Sequence, residues 1–201
     1  YEDFPDGVTM YHLFEESLRR FPQSDIYGKR VYSNGEWQDR FEFITREEFK
    51  ELRDSVGSFL IQNGYGNNSD HIGILSYNRI EWVATQPACF AYGCIPVPIY
   101  DTFGQENVSY IINHANIEIV FVVSTKLKEL LELKPDIVKD IVVFDNEEHP
   151  YNEADYEQYL NRMNCRITKW IDIVNIKERY PHKPPTYDTP AAIMYTSGTT
   201  G

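Results

Sequence analysis

The chain has 201 residues, 42% hydrophobic and 25% charged, enough for one large domain with a substantial core, which excludes general disorder. Thirty-one acidic residues against 19 Lys plus Arg give a formal net charge of −12, which repels polyphosphate backbones and argues against a nucleic-acid partner. The three cysteines, Cys89, Cys94 and Cys165, are too few and too scattered for a disulfide framework or a zinc site, and they suit a reducing compartment.

In chain order, Thr9 opens a helix with apolar residues at Met10, Leu13, Phe14, Leu18 and Phe21, which Pro22 ends. Lys29 to Ser33 and Glu36 to Phe43 flank Asn34-Gly35, a strong hairpin signal. Thr45-Arg46-Glu47-Glu48 is a capping box; its helix carries Phe49, Leu52, Val56, Phe59 and Leu60 on one face and stops at Gly64. The pattern then changes. Short strands are expected at 71–75, 95–99, 117–123 and 141–144, separated by helices from Asn78 to Ala91, Gln105 to Ala115 and Lys126 to Leu133. Short apolar strands alternating with helices predict a mostly parallel sheet covered on both faces. The apolar run from Ile80 to Tyr100 holds Pro87, Pro96, Pro98 and Glu81, so it reads as core and not as a membrane span.

Residues 145–159 are acidic and read as a solvated insertion, 160–180 as helix or mixed structure, and 181–190, with four prolines, as a connector. Ala191-Ala192-Ile193-Met194 reads as a short buried strand that runs into Tyr195-Thr196-Ser197-Gly198-Thr199-Thr200-Gly201. Glycines let backbone N–H groups crowd an anion, and hydroxyls add donors that can share Mg²⁺ with phosphate oxygens. A polyphosphate cradle is one reading of that loop; an ordinary solvent loop is the other. The placement strengthens the cradle reading, because ligands of open parallel sheets sit beyond the carboxyl ends of the strands, and pattern alone leaves both readings open. The glycine spacing fits neither the Walker pattern nor the dinucleotide fingerprint. A first residue of Tyr1 and a last residue inside the loop make a piece of a longer protein the expectation.

These residues resemble a known family. Tyr-Thr-Ser-Gly-Thr-Thr-Gly at 195–201 is similar to the phosphate loop of adenylate-forming enzymes. Ser76-Tyr77-Asn78-Arg79-Ile80-Glu81-Trp82, Val97-Pro98-Ile99-Tyr100-Asp101-Thr102-Phe103-Gly104 and Tyr110-Ile111-Ile112-Asn113-His114-Ala115 resemble segments of its long-chain fatty acyl-CoA synthetases. The family pattern has Leu where Ile99 and Phe103 stand. The resemblance implies an α/β fold, a mostly parallel sheet flanked by helices, here with an N-terminal helix and β-hairpin. It makes residues 1–201 the incomplete N-terminal portion of a large AMP-binding domain, with hairpin and helices over 1–66 and an α/β layer over 67–201.

It further implies a parent enzyme that uses ATP, Mg and coenzyme A on a long-chain fatty acid. Thr196, Ser197, Gly198, Thr199, Thr200 and Gly201 would hold the ATP phosphates, and Thr196 would contact Mg. No catalytic residue is expected within the chain, and the chain alone is expected to be inactive. Peripheral membrane association of the parent, at the cytoplasmic face of a membrane such as the endoplasmic reticulum, or a cytoplasmic location, is implied. Self-association of the chain through an open sheet edge is expected. An adenylating enzyme with another acid or acceptor, and a truncated non-catalytic nucleotide-binding module, are the alternatives.

Among single residues, Tyr100, Asp101 and Thr102 read as a turn capping the Gln105 helix, with ligand lining as the alternative. Asn78 reads as an N-cap, Arg79 with Glu81 as a pair, and His114 as a structural residue near a helix C-terminus.

Overall fold

The computed structural model describes residues 8–133, 135–160 and 165–196. Thr9 caps the first helix, α1 (Met10–Arg20), by accepting the His12 N–H. Its apolar stripe is only partly used: Leu18 is buried, whereas Met10 and Leu13 stay 55% and 45% exposed. The hairpin forms as its turn residues demand. Strands β1 (Asp25–Ser33) and β2 (Glu36–Thr45) pair antiparallel across Asn34 and Gly35, whose φ of 55° and 81° are those of the tight turn that matches strand twist.

Helix α2 (Arg46–Gln62) begins with a reciprocal capping box. The Glu48 N–H donates to Thr45 Oγ1 at 3.2 Å, and the Thr45 N–H donates to Glu48 Oε2 at 2.8 Å. Thr45→Ala is expected to cost about 1 kcal/mol, a Tm loss of roughly 2–4 °C for a domain this size. Thermal unfolding followed by circular dichroism measures it; an unchanged Tm would mean that the box contributes nothing. Gly64, at φ +88°, ends the helix with its N–H on the Ile61 carbonyl.

The second layer is a five-stranded parallel sheet in the order β4-β3-β5-β6-β7. Its strands are β3 (Asp70–Leu75), β4 (Cys94–Ile99), β5 (Ile119–Val123), β6 (Asp140–Phe144) and β7 (Arg166–Lys169). Between them run α3 (Ile80–Ala91), α4 (Gln105–His114), α5 (Ser124–Leu133) and the short α6 (Glu157–Leu160); α7 (Trp170–Val174) follows β7. Strand alternation sorts the core into two clusters. Leu75, Val97, Ile99, Val120, Val122, Ile141 and Val143 pack with α4 and α5, while Ile72, Ile74, Ile119, Phe121, Val142 and Phe144 pack with α2, α3 and α7. Every residue of β4, β5 and β6 is buried, as a sheet covered on both faces requires.

Two stretches differ from the sequence reading. The 160–180 region contributes a fifth strand, β7, whose Arg-Ile-Thr-Lys is too short and too polar to show a pattern. Its exposed basic ends suit a sheet edge. At the opposite edge, 191–194 does not form the expected buried strand: the chain is irregular there, and Met194 is 54% exposed. The reason lies in β4. The Pro96 carbonyl faces outward and accepts the Ile193 N–H at 3.1 Å. By the two-residue period Pro98 faces the same way, and neither proline has an N–H to return. A strand laid on that edge can donate but cannot accept at those positions, so no ladder forms.

Candidate functional site

The loops leaving the carboxyl ends of the strands are braced into one rim. Arg79, after β3, forks onto Glu81 with Nε–Oε2 at 2.7 Å and Nη2–Oε1 at 2.9 Å, and donates to the Asp145 carbonyl after β6 at 2.6 Å. Burial would lower the Arg79 pKa, but the Glu81 carboxylate outweighs it and raises the pKa. Asn146 is the second brace. Its amide donates to Tyr77 Oη at 2.8 Å, its backbone N–H to Ser124 Oγ at 3.1 Å, and its Oδ1 accepts the Glu148 and His149 N–H groups at 2.9 Å each. Ser124 in turn donates to the His149 carbonyl at 2.6 Å. The loops after β3, β5 and β6 are therefore held together by a hydrogen-bonded network, in which Arg79 Nη1 is a buried donor left without a partner. The hairpin reaches the same rim, where Lys29 pairs with Glu147 beside a cavity of about 220 Å³ lined in part by Trp37, Tyr77 and Asn78.

Two sequence readings are corrected here. The residue in the N-cap position of α3 is Arg79, not Asn78, and it makes no side-chain cap bond because a guanidinium has only donors and cannot accept a helix N–H; it donates instead to Glu81 and Asp145. Nor do Asp101 and Thr102 cap α4: Gly104 stands at the cap with no side-chain hydrogen bond. Tyr100 to Phe103 close a turn, with the Phe103 N–H on the Tyr100 carbonyl at 3.0 Å. The Arg79–Glu81 pair is as expected.

The connector reaches this rim along a guided path. Arg179 bonds Ser55 and Glu51 of α2, the Tyr180 N–H approaches Ser58 Oγ at 3.4 Å, and His182 bonds Asp54 at 3.1 Å. The Lys183 N–H then donates to the Ala91 carbonyl at 2.7 Å. Behind these bonds lies a cluster that hydrophobic patterning does not flag. Arg53 is wholly buried and paired with Asp54 and with Glu15 of α1. Its only sequence signal is a charged pair beside the apolar face of α2.

Of the expected phosphate-loop residues, Thr196 is described; Ser197, Gly198, Thr199, Thr200 and Gly201 lie outside the described residues. Thr196 is exposed and lines a cavity of about 120 Å³ with Phe103, Asn107, Tyr110, Ile111 and Tyr195. Phe103 and Asn107 flank the start of α4, just beyond the carboxyl end of β4, so the root of the loop sits on the rim where open parallel sheets place ligands. No group of three His, Cys, Asp or Glu side chains that could hold a metal occurs among the described residues. An accessible hydroxyl at Thr196 fits magnesium, which takes few protein ligands and fills its octahedron with phosphate oxygens and water. His114 is linked to this root: its Nδ1 lies 2.6 Å from Tyr195 Oη.

Residues 14–201 match the sequence family described as AMP-binding enzyme. The chain is 34% identical, over 98% of its length, to the human long-chain-fatty-acid–CoA ligase 1. It is 30% identical over its whole length to the peroxisomal long chain acyl-CoA synthetase 7 of Arabidopsis thaliana. It spans about 28% of the length of these curated relatives. Among solved structures, the adenylation domain of a carboxylate reductase from Mycobacterium chelonae superposes with a TM-score of 0.79 at 16% identity, over 97% of this chain and 33% of that one. The didomain of a carboxylic acid reductase from Segniliparus rugosus in complex with AMP superposes at 0.82 and 14% identity, over 95% and 30% of the two chains. At such identities these structures speak for the fold.

Proposed function

The chain belongs to the family of AMP-binding enzymes, and on that premise we propose that it is the N-terminal portion of the large AMP-binding domain of a long-chain fatty acid–CoA ligase. In the proposed reaction a fatty carboxylate attacks the α-phosphate of ATP, giving acyl-adenylate and pyrophosphate. The thiol of coenzyme A then displaces AMP to form the thioester. The sequence likeness to long-chain ligases along nearly the whole chain carries this reading, and the position of Thr196 on the rim supports it.

In this proposal Thr196 to Gly201 hold the ATP phosphates, with hydroxyl and backbone donors set where charge grows on the departing pyrophosphate. Magnesium, when bound beside Thr196, would neutralise part of that charge. The remaining work of this chain is to hold the rim still, through Arg79 and Asn146, so that the loop is presented from a rigid base. No helix among the described residues is long and apolar enough to cross a membrane. The proposal places the parent in the cytoplasm or peripherally at the cytoplasmic face of a membrane such as the endoplasmic reticulum.

Magnesium-dependent ATP–pyrophosphate exchange by the intact parent, run with fatty acids of graded length, tests the proposal. Long-chain acids are expected to stimulate exchange most, and added coenzyme A to yield acyl-CoA. Exchange confined to another class of acid, or transfer only to a carrier protein, would refute it. The 201-residue chain is expected to support neither half-reaction; acyl-CoA or pyrophosphate formed by it alone would overturn that part.

A further inference from the structure

Resting on the reading of residues 196–201 as the phosphate loop, we infer that His114 is a positioning residue for that loop and acts through Tyr195. Tyr195 directly precedes Thr196, and its phenol oxygen sits 2.6 Å from His114 Nδ1. The tyrosine ring is boxed by α4. It meets Tyr110 edge-on at 6.2 Å and 90°, and His114 at 5.8 Å and 84°, while Tyr110 and His114 stack at 5.1 Å and 18°. Tyr110 and His114 are four residues apart and so share one face of the helix. Tyr195 and Ile193 also pack against the core on the α4 side of the sheet.

The backbone supplies less than a strand would. The Ile193 N–H to Pro96 carbonyl bond ties this segment to β4, and Pro96 and Pro98 cannot donate back. The Tyr195–His114 bond is thus the side-chain anchor next to the loop. It holds in either protonation state, since neutral imidazole accepts the phenol proton and imidazolium donates to the phenol oxygen. What the geometry supplies is orientation, and a loop that places several donors around phosphates loses rate steeply with small displacements.

Three variants of the intact parent test this: Tyr195→Phe, His114→Ala, and His114→Asn, whose amide can stand where Nδ1 stood. Tyr195→Phe and His114→Ala are each expected to raise KM for ATP by about tenfold, with KM for the fatty acid unchanged. His114→Asn should restore most of the loss. The double variant Tyr195→Phe/His114→Ala should be no worse than either single one, because both remove the same bond. Amide hydrogen exchange across residues 190–201 should rise in Tyr195→Phe and His114→Ala but not in His114→Asn. That readout needs no turnover, so it judges the anchor even if the parent adenylates no fatty acid, in which case the functional reading alone fails. Additive losses, or wild-type KM for ATP and wild-type exchange accompanied only by a lower Tm, would overturn the inference.

Discussion

Replacing Thr196, Ser197, Thr199 and Thr200 together by alanine in the intact parent is expected to slow adenylate formation by at least roughly a hundredfold. The size of the effect follows from where the hydroxyls are proposed to act. Charge builds on pyrophosphate as it leaves, so a donor placed there binds the transition state more strongly than bound ATP. Removing the donors should therefore depress kcat as well as kcat/KM for ATP, while KM for the fatty acid stays near its wild-type value. The described rim gives a reason to expect little collateral damage. Thr196 is exposed, and the braces at Arg79 and Asn146 do not involve it. Single-turnover formation of acyl-adenylate is the measurement to make. A quadruple variant with full turnover would remove this loop from the site.

Arg53→Met in the 201-residue chain is expected to cost about 3 kcal/mol, a fall in Tm of roughly 6–12 °C. The side chain of Arg53 is fully buried, and its removal strands two carboxylates, Asp54 and Glu15, that were placed to meet it. Asp54 also loses part of what keeps it charged. Burial alone would raise its pKa, but the hydrogen bond from His182 and the Arg53 guanidinium outweigh burial and hold it below the usual aspartate range. A carboxyl depressed on folding contributes stability above its unfolded pKa and loses that contribution as pH falls through the folded one. The wild-type chain should thus shed this increment only in acid below the ordinary aspartate range, and the variant should have less of it to lose. By contrast, the exposed Arg40–Glu42 pair on the hairpin should contribute nothing measurable. Thermal denaturation at neutral and acid pH tests both statements, and an Arg53→Met chain as stable as wild type would show that the cluster is not held by its guanidinium.

Most of the architecture was legible because its signals are local. Asn34-Gly35 turns the hairpin through its own backbone preference, the Thr45–Glu48 box closes within one helical turn, and Gly64 takes the positive φ that ends α2. The strands from β3 to β6 announce themselves through apolar runs buried on both faces, Ile72 to Leu75, Cys94 to Ile99, Ile119 to Val123 and Ile141 to Phe144. β7 gave no such signal: four residues, two of them basic, are a strand only because the β6 edge is there to pair with. The 191–194 stretch shows the reverse case. Its apolar run predicts a strand, yet Pro96 and Pro98 on the neighbouring edge deny it a ladder.

The candidate site divides the same way. The sequence by itself determined that a Gly, Ser and Thr loop follows a parallel α/β layer, since composition and periodicity are properties of neighbours along the chain. Only the tertiary structure decided that Asn146 ties Tyr77 to Ser124, that His182 meets Asp54, and that His114 grips Tyr195 from 81 residues away. Those pairings depend on how strand order and the helices packed on the sheet bring distant segments together, and that is a packing outcome that periodicity does not encode.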